Sequence, residues 1–193
     1  MGFNMNNNYN NTTNNGGGEK KKTNFRIAKI WGSDGQLDIS VWVSDTGVKT
    51  ILSIKSAVGK DPSTGANVFE QKMPNELPRF FMNVDLLCAL NEVLQSTSTS
   101  DYGTINISLN KSTSEKMTIV GQGNSIKITI DTSKNGSRTI TLDSIAVGST
   151  NVHASFKNFT KYIGIAYKKA LTAKLDPDEF AMVAGGSDED APF

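Results

Sequence analysis

Trp42 and the lysines that follow it are the residues whose type and spacing indicate a chemistry most clearly. The segment 37–44 alternates apolar and polar side chains, which predicts a strand with Trp42 on its polar face. Lys49 and Lys55 fall on the polar face of the next predicted strand, 48–58. Aromatic rings stack on nucleobases and ammonium groups attract phosphates, so this combination predicts binding of single-stranded nucleic acid.

The preceding strand, predicted over 25–31, offers further contacts on one of two faces. Strict alternation places either Lys29 with Trp31, or else Arg26, beside Trp42. Two other interpretations stay open: Trp31 can belong to the core, and Trp42 can pack against another subunit or a loop. The candidates for contact with nucleic acid in this part of the chain are thus Trp31, Lys29, Arg26, Trp42 and the two lysines of the third strand.

Other candidates carry a weaker signal. The rings of Phe69, Phe80 and Phe81 can stack on bases. Because they lie close to Pro74 and Pro78, they can instead hold a loop against the core. In the second half of the chain, we expect Lys127 and Arg138 on a polar face made mainly of Thr, Ser and Asn. The uncharged residues expected there are Thr104, Asn106, Ser108, Thr118, Thr129, Thr139 and Thr141.

The elements that must position these residues follow the order of four strands, a helix, four strands and a helix. The strands are predicted over 25–31, 37–44, 48–58, 68–73, 104–109, 116–121, 125–131 and 138–143. Asn83 is a good N-cap for the first helix, and Pro177 ends a second helix that starts near Ser155. Each helix carries a predicted apolar stripe, which is Val84, Leu87, Leu90 and Leu94 in the first and Phe156, Phe159, Ile163, Ala166 and Ala170 in the second. Asn135-Gly136 predicts a tight hairpin. We therefore expect an α+β fold in which helices cover the apolar face of each sheet and leave the other face open.

Charge and composition divide the chain of 193 residues into three parts. Residues 1–24 are rich in Asn, Thr and Gly, which predicts a disordered arm. Residues 25–175 form one predicted domain of two halves, 25–95 and 101–175, and residues 176–193 form a flexible acidic tail. The formal net charge of +1 conceals a body, residues 1–175, with 20 basic and 13 acidic side chains and hence a charge of +7. A cationic body is consistent with phosphate binding.

The C-terminal tip suggests a binding role of its own. It consists of Asp188, Glu189, Asp190, Ala191, Pro192 and Phe193. An acidic peptide that ends in a ring and a carboxylate can enter a basic, apolar pocket on a partner or lie in a cationic groove of its own protein. A solubilising tail is the alternative.

This ending resembles the tip of bacterial and phage single-stranded-DNA-binding proteins, which typically end in an Asp-Asp-Asp-Ile-Pro-Phe-like sequence. Glu189 and Ala191 depart from that pattern. The resemblance implies a protein that coats single-stranded DNA and recruits replication, recombination and repair proteins through its final Phe and carboxylate.

The order of elements over 25–175 resembles that of the Whirly and positive-cofactor-four group of single-stranded-DNA binders. This resemblance implies a duplicated ββββα-ββββα fold that assembles into homo-oligomers. An oligonucleotide-binding (OB) barrel is the alternative fold, although five strands with one helix after the third fit the pattern less well.

The chain offers little for catalysis. His153 is its one histidine and Cys88 its one cysteine, which supply neither a zinc set nor a nucleophilic triad. We expect no enzyme activity, no cofactor and no metal. The absence of a long apolar run and of a secretory signal, with a single cysteine, favours the cytoplasm, that of a bacterial host for a phage protein. A β-rich structural virion protein and an RNA-binding or transcription-regulating protein remain alternatives.

Overall fold

Two antiparallel sheets of five and four strands, a small two-stranded hairpin and two α-helices make up the described part of the computed structural model. The described residues are 23–44, 46–96, 105–112 and 114–176. The predicted α+β class is therefore confirmed. The N-terminal arm before Thr23 and the acidic tail after Asp176 lie outside the described residues.

The first sheet has five strands, in the order β1-β2-β3-β4, with β5 also paired to β3. The strands are β1 (Thr23–Trp31), β2 (Gly35–Ser44), β3 (Gly47–Lys60), β4 (Asn67–Phe69) and β5 (Arg79–Met82). A short 3₁₀ turn, Pro74–Glu76, separates β4 from β5. Helix α1 (Val84–Ser96) follows, and the side chain of Asn83 accepts a 2.9 Å hydrogen bond from the Leu86 N–H, which confirms the predicted N-cap.

The second sheet is a four-stranded meander in the order β6-β7-β8-β9. Its strands are β6 (Asn106–Ser112), β7 (Glu115–Gln122), β8 (Ser125–Thr132) and β9 (Gly136–Asp143). Gly136 has φ 73°, a left-handed conformation that glycine adopts without strain, so the predicted Asn-Gly hairpin is confirmed. A small hairpin of β10 (Ile145–Val147) and β11 (Thr150–Val152) then leads into α2 (Ala154–Leu175).

The structure differs from the predicted strands after β3. The strand expected over 68–73 is only three residues long, and β5 was not predicted. Pro78 directly precedes β5, where the proline costs no ladder hydrogen bond, so it does not stop the pairing that starts at Arg79. The hairpin of β10 and β11 was also not predicted, because three-residue strands give too short an alternation.

A single hydrophobic core joins both sheets and both helices. The apolar stripes of the helices are buried as predicted, and their members are Val84, Leu87, Leu90 and Leu94 in α1 and Phe156, Phe159, Ile163, Ala166 and Ala170 in α2. Helix α2 packs across β1, β2 and β3, whereas α1 packs against α2, β3 and β5. We expected a helix on the apolar face of each sheet, but both helices pack mainly against the first sheet. Strands β8 and β9 pack instead against strands of the first sheet.

Neither sheet closes on itself within the described residues, because β1 and β6 each end a sheet with one paired neighbour. The described strands therefore do not form the closed barrel that an OB fold would require.

The turn between β1 and β2 joins the two sheets through Asp34. Its carboxylate accepts hydrogen bonds from the Thr141 N–H at 2.6 Å and from the Thr141 hydroxyl at 2.7 Å. The Ser33 N–H donates to the Thr141 carbonyl at 3.0 Å, and the Ala57 N–H donates to the Asp34 carbonyl at 2.8 Å. A side chain at Gly32 would collide with the Thr141 carbonyl and with Ile140. The turn thus docks closely on β9 only because this position is glycine.

We predict that Gly32→Ala lowers the free energy of unfolding by about 1 to 3 kcal/mol, since the added methyl group must push β9 away. The measurement is urea unfolding followed by circular dichroism. Gly59→Ala is the matched control, because an added Cβ there meets no atom within 4 Å. The control should change stability by less than about 0.5 kcal/mol. Equal stability of the two variants would contradict the close docking of the turn.

Candidate nucleic-acid interface

The first sheet buries one face and leaves the other partly open. In β2, the side chains of Leu37, Ile39 and Val41 are completely buried, while Asp38 and Trp42 alternate with them on the other side. The side of the first sheet that carries Asp38 and Trp42 is the outer face. The predicted alternation of β2 is therefore confirmed, and Trp42 lies on the outer face, half-buried.

A β-bulge in β1 places all three candidates of that strand on the outer face. Arg26 pairs with Ser40 and Ala28 pairs with Ile39, so Ile27 is an extra residue without a cross-strand partner. Before the bulge the even-numbered residues of β1 lie on the outer face, and after it the odd-numbered residues do. Arg26, Lys29 and Trp31 consequently share one side, so the two possibilities that strict alternation kept apart are both realised.

Cross-strand pairing arranges the outer face in four rows. These rows are Asn24, Trp42 and Lys49; Arg26, Ser40, Ile51 and Phe81; Lys29, Asp38, Ser53 and Arg79; and Trp31, Gln36 and Lys55. Side chains in one row are direct neighbours, about 5 Å apart at Cβ. Each row therefore places a cationic side chain within reach of an aromatic ring or of a short polar side chain.

Two of the rings form a pair at one end of the outer face. Trp31 is 54% exposed, and its ring centroid lies 5.1 Å from that of Phe69 in β4, with the planes tilted by 56°. Phe80, by contrast, is fully buried in the core. Of the three phenylalanines weighed from the sequence, Phe69 and Phe81 thus lie on the outer face and Phe80 does not.

Positive charge dominates the outer face. Its four rows contain two arginines from β1 and β5 and three lysines, against the single carboxylate of Asp38. Asp38 accepts a 2.9 Å hydrogen bond from the Gln36 amide, and its other oxygen lies 3.9 Å from Nε of Arg26. At that distance, and with the Arg26 side chain 61% exposed, the ion pair binds Arg26 weakly. The cations remain available to an external anion.

The second sheet presents a different surface. Lys127 is exposed on a face that carries a row of hydroxyl groups, as expected, and Thr129 and Thr139 are joined there by a 2.8 Å hydrogen bond. Thr104 lies outside the described residues.

Arg138 does not share that face, so its predicted placement is wrong. It pairs with the buried Ile130 on the opposite side of the sheet. Its Nε and a terminal nitrogen donate to the two carboxylate oxygens of Glu70 at 3.1 and 3.2 Å. Because this bidentate ion pair links β9 to the chain after β4, Arg138 serves the joint between the sheets rather than the outer face.

Glu70 is held in its ionised form by these contacts. Burial alone would raise the pKa of its carboxyl group, but hydrogen bonds from Arg138 and from the Ser56 N–H outweigh burial. The charges of Arg138 and Lys72 act in the same direction. The pKa of Glu70 therefore lies below its ordinary value of 4.5.

Sequence reasoning missed two residues at the outer face, Arg79 and Lys111, and left the position of Phe81 open. Arg79 and Phe81 alternate with the buried Phe80 and Met82, a pattern visible in the sequence but only four residues long. Lys111 belongs to the second sheet, and its side chain reaches the ring of Phe81. No sequence pattern around Lys111 predicts its contact with Phe81.

The described residues contain no group of His, Cys, Asp and Glu side chains that could hold a metal ion. No described helix combines the length and the apolar character needed to cross a membrane. Comparison with protein-family models and with curated proteins finds no match to this chain.

We predict that the Glu70 ion pair makes stability depend on acid. A carboxyl group with a lowered pKa in the folded state stabilises the protein above its unfolded pKa, and this contribution is lost as pH falls through the folded pKa. The urea concentration at the unfolding midpoint of the wild type should therefore decrease when the pH is lowered below about 4.5. Glu70→Gln should remove part of that dependence and cost about 1 to 3 kcal/mol at pH 7.

The matched control is Glu92→Gln, which changes an exposed carboxylate of α1. It should leave both the midpoint at pH 7 and its acid dependence close to those of the wild type. Identical acid dependence of wild type and Glu70→Gln would show that the ion pair contributes nothing.

Proposed function

We propose that this protein binds single-stranded DNA without sequence preference on the outer face of its first sheet. The observation that supports this most strongly is the pairing of Trp31, Trp42, Phe69 and Phe81 with five cationic side chains on one open sheet surface. Every base has a π-face, so rings accept all four bases, while ammonium and guanidinium groups follow the phosphates. In a duplex the bases are stacked on one another, so this surface favours unpaired strands.

The proposal includes a finer description of the fold. Each half contains an antiparallel meander followed by a helix, which supports two related copies of the kind found in the Whirly and positive-cofactor-four group. The fifth strand of the first sheet, the hairpin of β10 and β11, and the position of α2 across the first sheet are departures from a simple duplication. We also propose that copies of the chain form homo-oligomers on DNA.

The acidic tip, residues 188–193, completes the proposal. It lies outside the described residues, so its role rests on its sequence, three acids followed by Ala-Pro-Phe. In this proposal the outer face holds DNA, and the tip holds replication, recombination or repair proteins in the cytoplasm of a bacterial cell.

Replacing Trp42 tests the outer face. Trp42→Ala should weaken binding to oligo-dT by roughly 5- to 150-fold, because one stacked base is worth about 1 to 3 kcal/mol. The measurement is fluorescence anisotropy with labelled oligo-dT, duplex DNA and RNA at two salt concentrations. Wild-type affinity should be greatest for oligo-dT and should fall as salt rises.

Ile145→Ala is a control, since Ile145 is exposed on β10 and does not lie in the four rows. It should bind oligo-dT as the wild type does. Equal affinity for duplex DNA and oligo-dT would argue against the proposal, and tighter binding of RNA would redirect it to RNA.

Removal of residues 188–193 tests the second part. The shortened chain should bind oligo-dT as well as the full chain or better, because three acidic side chains are lost. In pull-downs from a bacterial lysate, it should lose the replication or repair proteins that the full chain retains. Phe193→Ala should give the same loss while keeping the acids. Retention of these partners by both variants would make the tip a solubilising tail.

A further inference from the structure

Two cations from different sheets converge on the ring of Phe81. The guanidinium carbon of Arg79 lies 5.3 Å from the ring centroid, and Nζ of Lys111 lies 5.6 Å from the same point. Arg79 and Phe81 belong to β5, whereas Lys111 belongs to β6 of the second sheet. The ring of Phe81 therefore marks a place where the outer face of the first sheet meets the second sheet.

The local pairing explains how Lys111 reaches this position. The register between β6 and β7 shifts between Asn110 and Ser112, so Lys111 is the extra residue of an irregularity in the edge strand. Such irregularities redirect side chains and are frequent beside functional sites. Lys111 is thereby turned toward Phe81 instead of continuing the alternation of β6.

The charges around this ring are incompletely balanced. Among the described residues, no carboxylate lies within ion-pair distance of Arg79. Lys111 lies 3.6 Å from Glu115, which is longer than a hydrogen bond, and its own side chain is 42% exposed, so Glu115 balances its charge only in part. Two like charges near one ring repel each other, and the negative face of the ring offsets the repulsion only in part. An anion that contacts both groups would relieve it.

The geometry points to a phosphate-binding site formed by Arg79 and Lys111, and we infer that it holds the nucleic-acid backbone where the strand leaves the first sheet. This inference rests on the proposed function, since the phosphate belongs to the DNA bound on the outer face. A guanidinium group suits a phosphate because its N–H groups match two oxygens at once. Ser53, directly opposite Arg79 on β3, adds a hydroxyl group beside the site.

The site selects a path for the DNA. Arg26 and Phe81 lie in the same row, on β1 and on β5. Strands of a sheet are about 4.8 Å apart, so the three steps from β1 to β5 span roughly 14 Å. Single-stranded DNA that reaches Lys111 must therefore cross the β-strands, from β1 and β2 over β5, rather than run along β2 toward Trp31. The second sheet then takes part in binding through Lys111.

The test measures how oligo-dT affinity depends on salt in Arg79→Ala, Lys111→Ala and the double variant. Each phosphate contact of a single strand contributes about 0.7 to the slope of log affinity against log salt. The double variant should lose roughly that amount, and each single variant should lose part of it. Thermal unfolding verifies that the variants are folded.

Lys161→Ala is the matched control, because Lys161 is exposed on α2, which packs on the opposite side of the first sheet. Its salt slope should equal that of the wild type. A wild-type slope in the folded double variant overturns the inference, as does an equal loss in Lys161→Ala. Both results leave the proposed function intact, whereas failure of the wild type to bind oligo-dT refutes the proposed function itself.

Discussion

The contact of the Asp34 carboxylate with Thr141 is the interaction on which the arrangement of this protein depends. Through side chain and carbonyl, Asp34 joins the turn after β1, the strand β3 and the strand β9. Glu70 with Arg138, and the Asn135 amide with the Leu77 carbonyl at 2.8 Å, repeat the link elsewhere along the same boundary. Polar groups connect the sheets at their margins, so the apolar faces between them merge into one core.

That core is one-sided with respect to the first sheet, and this explains where the candidate site lies. Both helices and three strands of the second sheet, β7, β8 and β9, pack against strands of the first sheet. No described helix or strand covers its other face in the same way, and leaving a tryptophan largely exposed there costs free energy that a purely structural surface would avoid. Trp31 is more than half exposed even with Phe69 beside it. Rings kept accessible among cations favour a binding surface over packing alone.

Local periodicity was sufficient to predict β2, the stripe of α1 and the Asn-Gly hairpin, since each is set by residues close in sequence. It was not sufficient for Arg26, because a single extra residue in β1 reverses the alternation. Arg138 lies on the same side of β9 as the buried Ile140, and its ion-pair partner Glu70 is 68 residues away in sequence. The convergence of Arg79 and Lys111 likewise joins two sheets. Contacts between residues far apart in sequence therefore determine the parts of the candidate site that the sequence did not predict.

The irregular pairing of the terminal strands has a further consequence, for solubility. A regular edge strand presents a continuous row of free N–H and C=O groups, onto which another chain can add and start a fibril. Here β1 and β6, each at the end of its sheet, both contain an interruption, at Ile27 and at Lys111. Each interruption breaks the template that an incoming strand would need. At high protein concentration, these two edges should therefore resist amyloid-like growth.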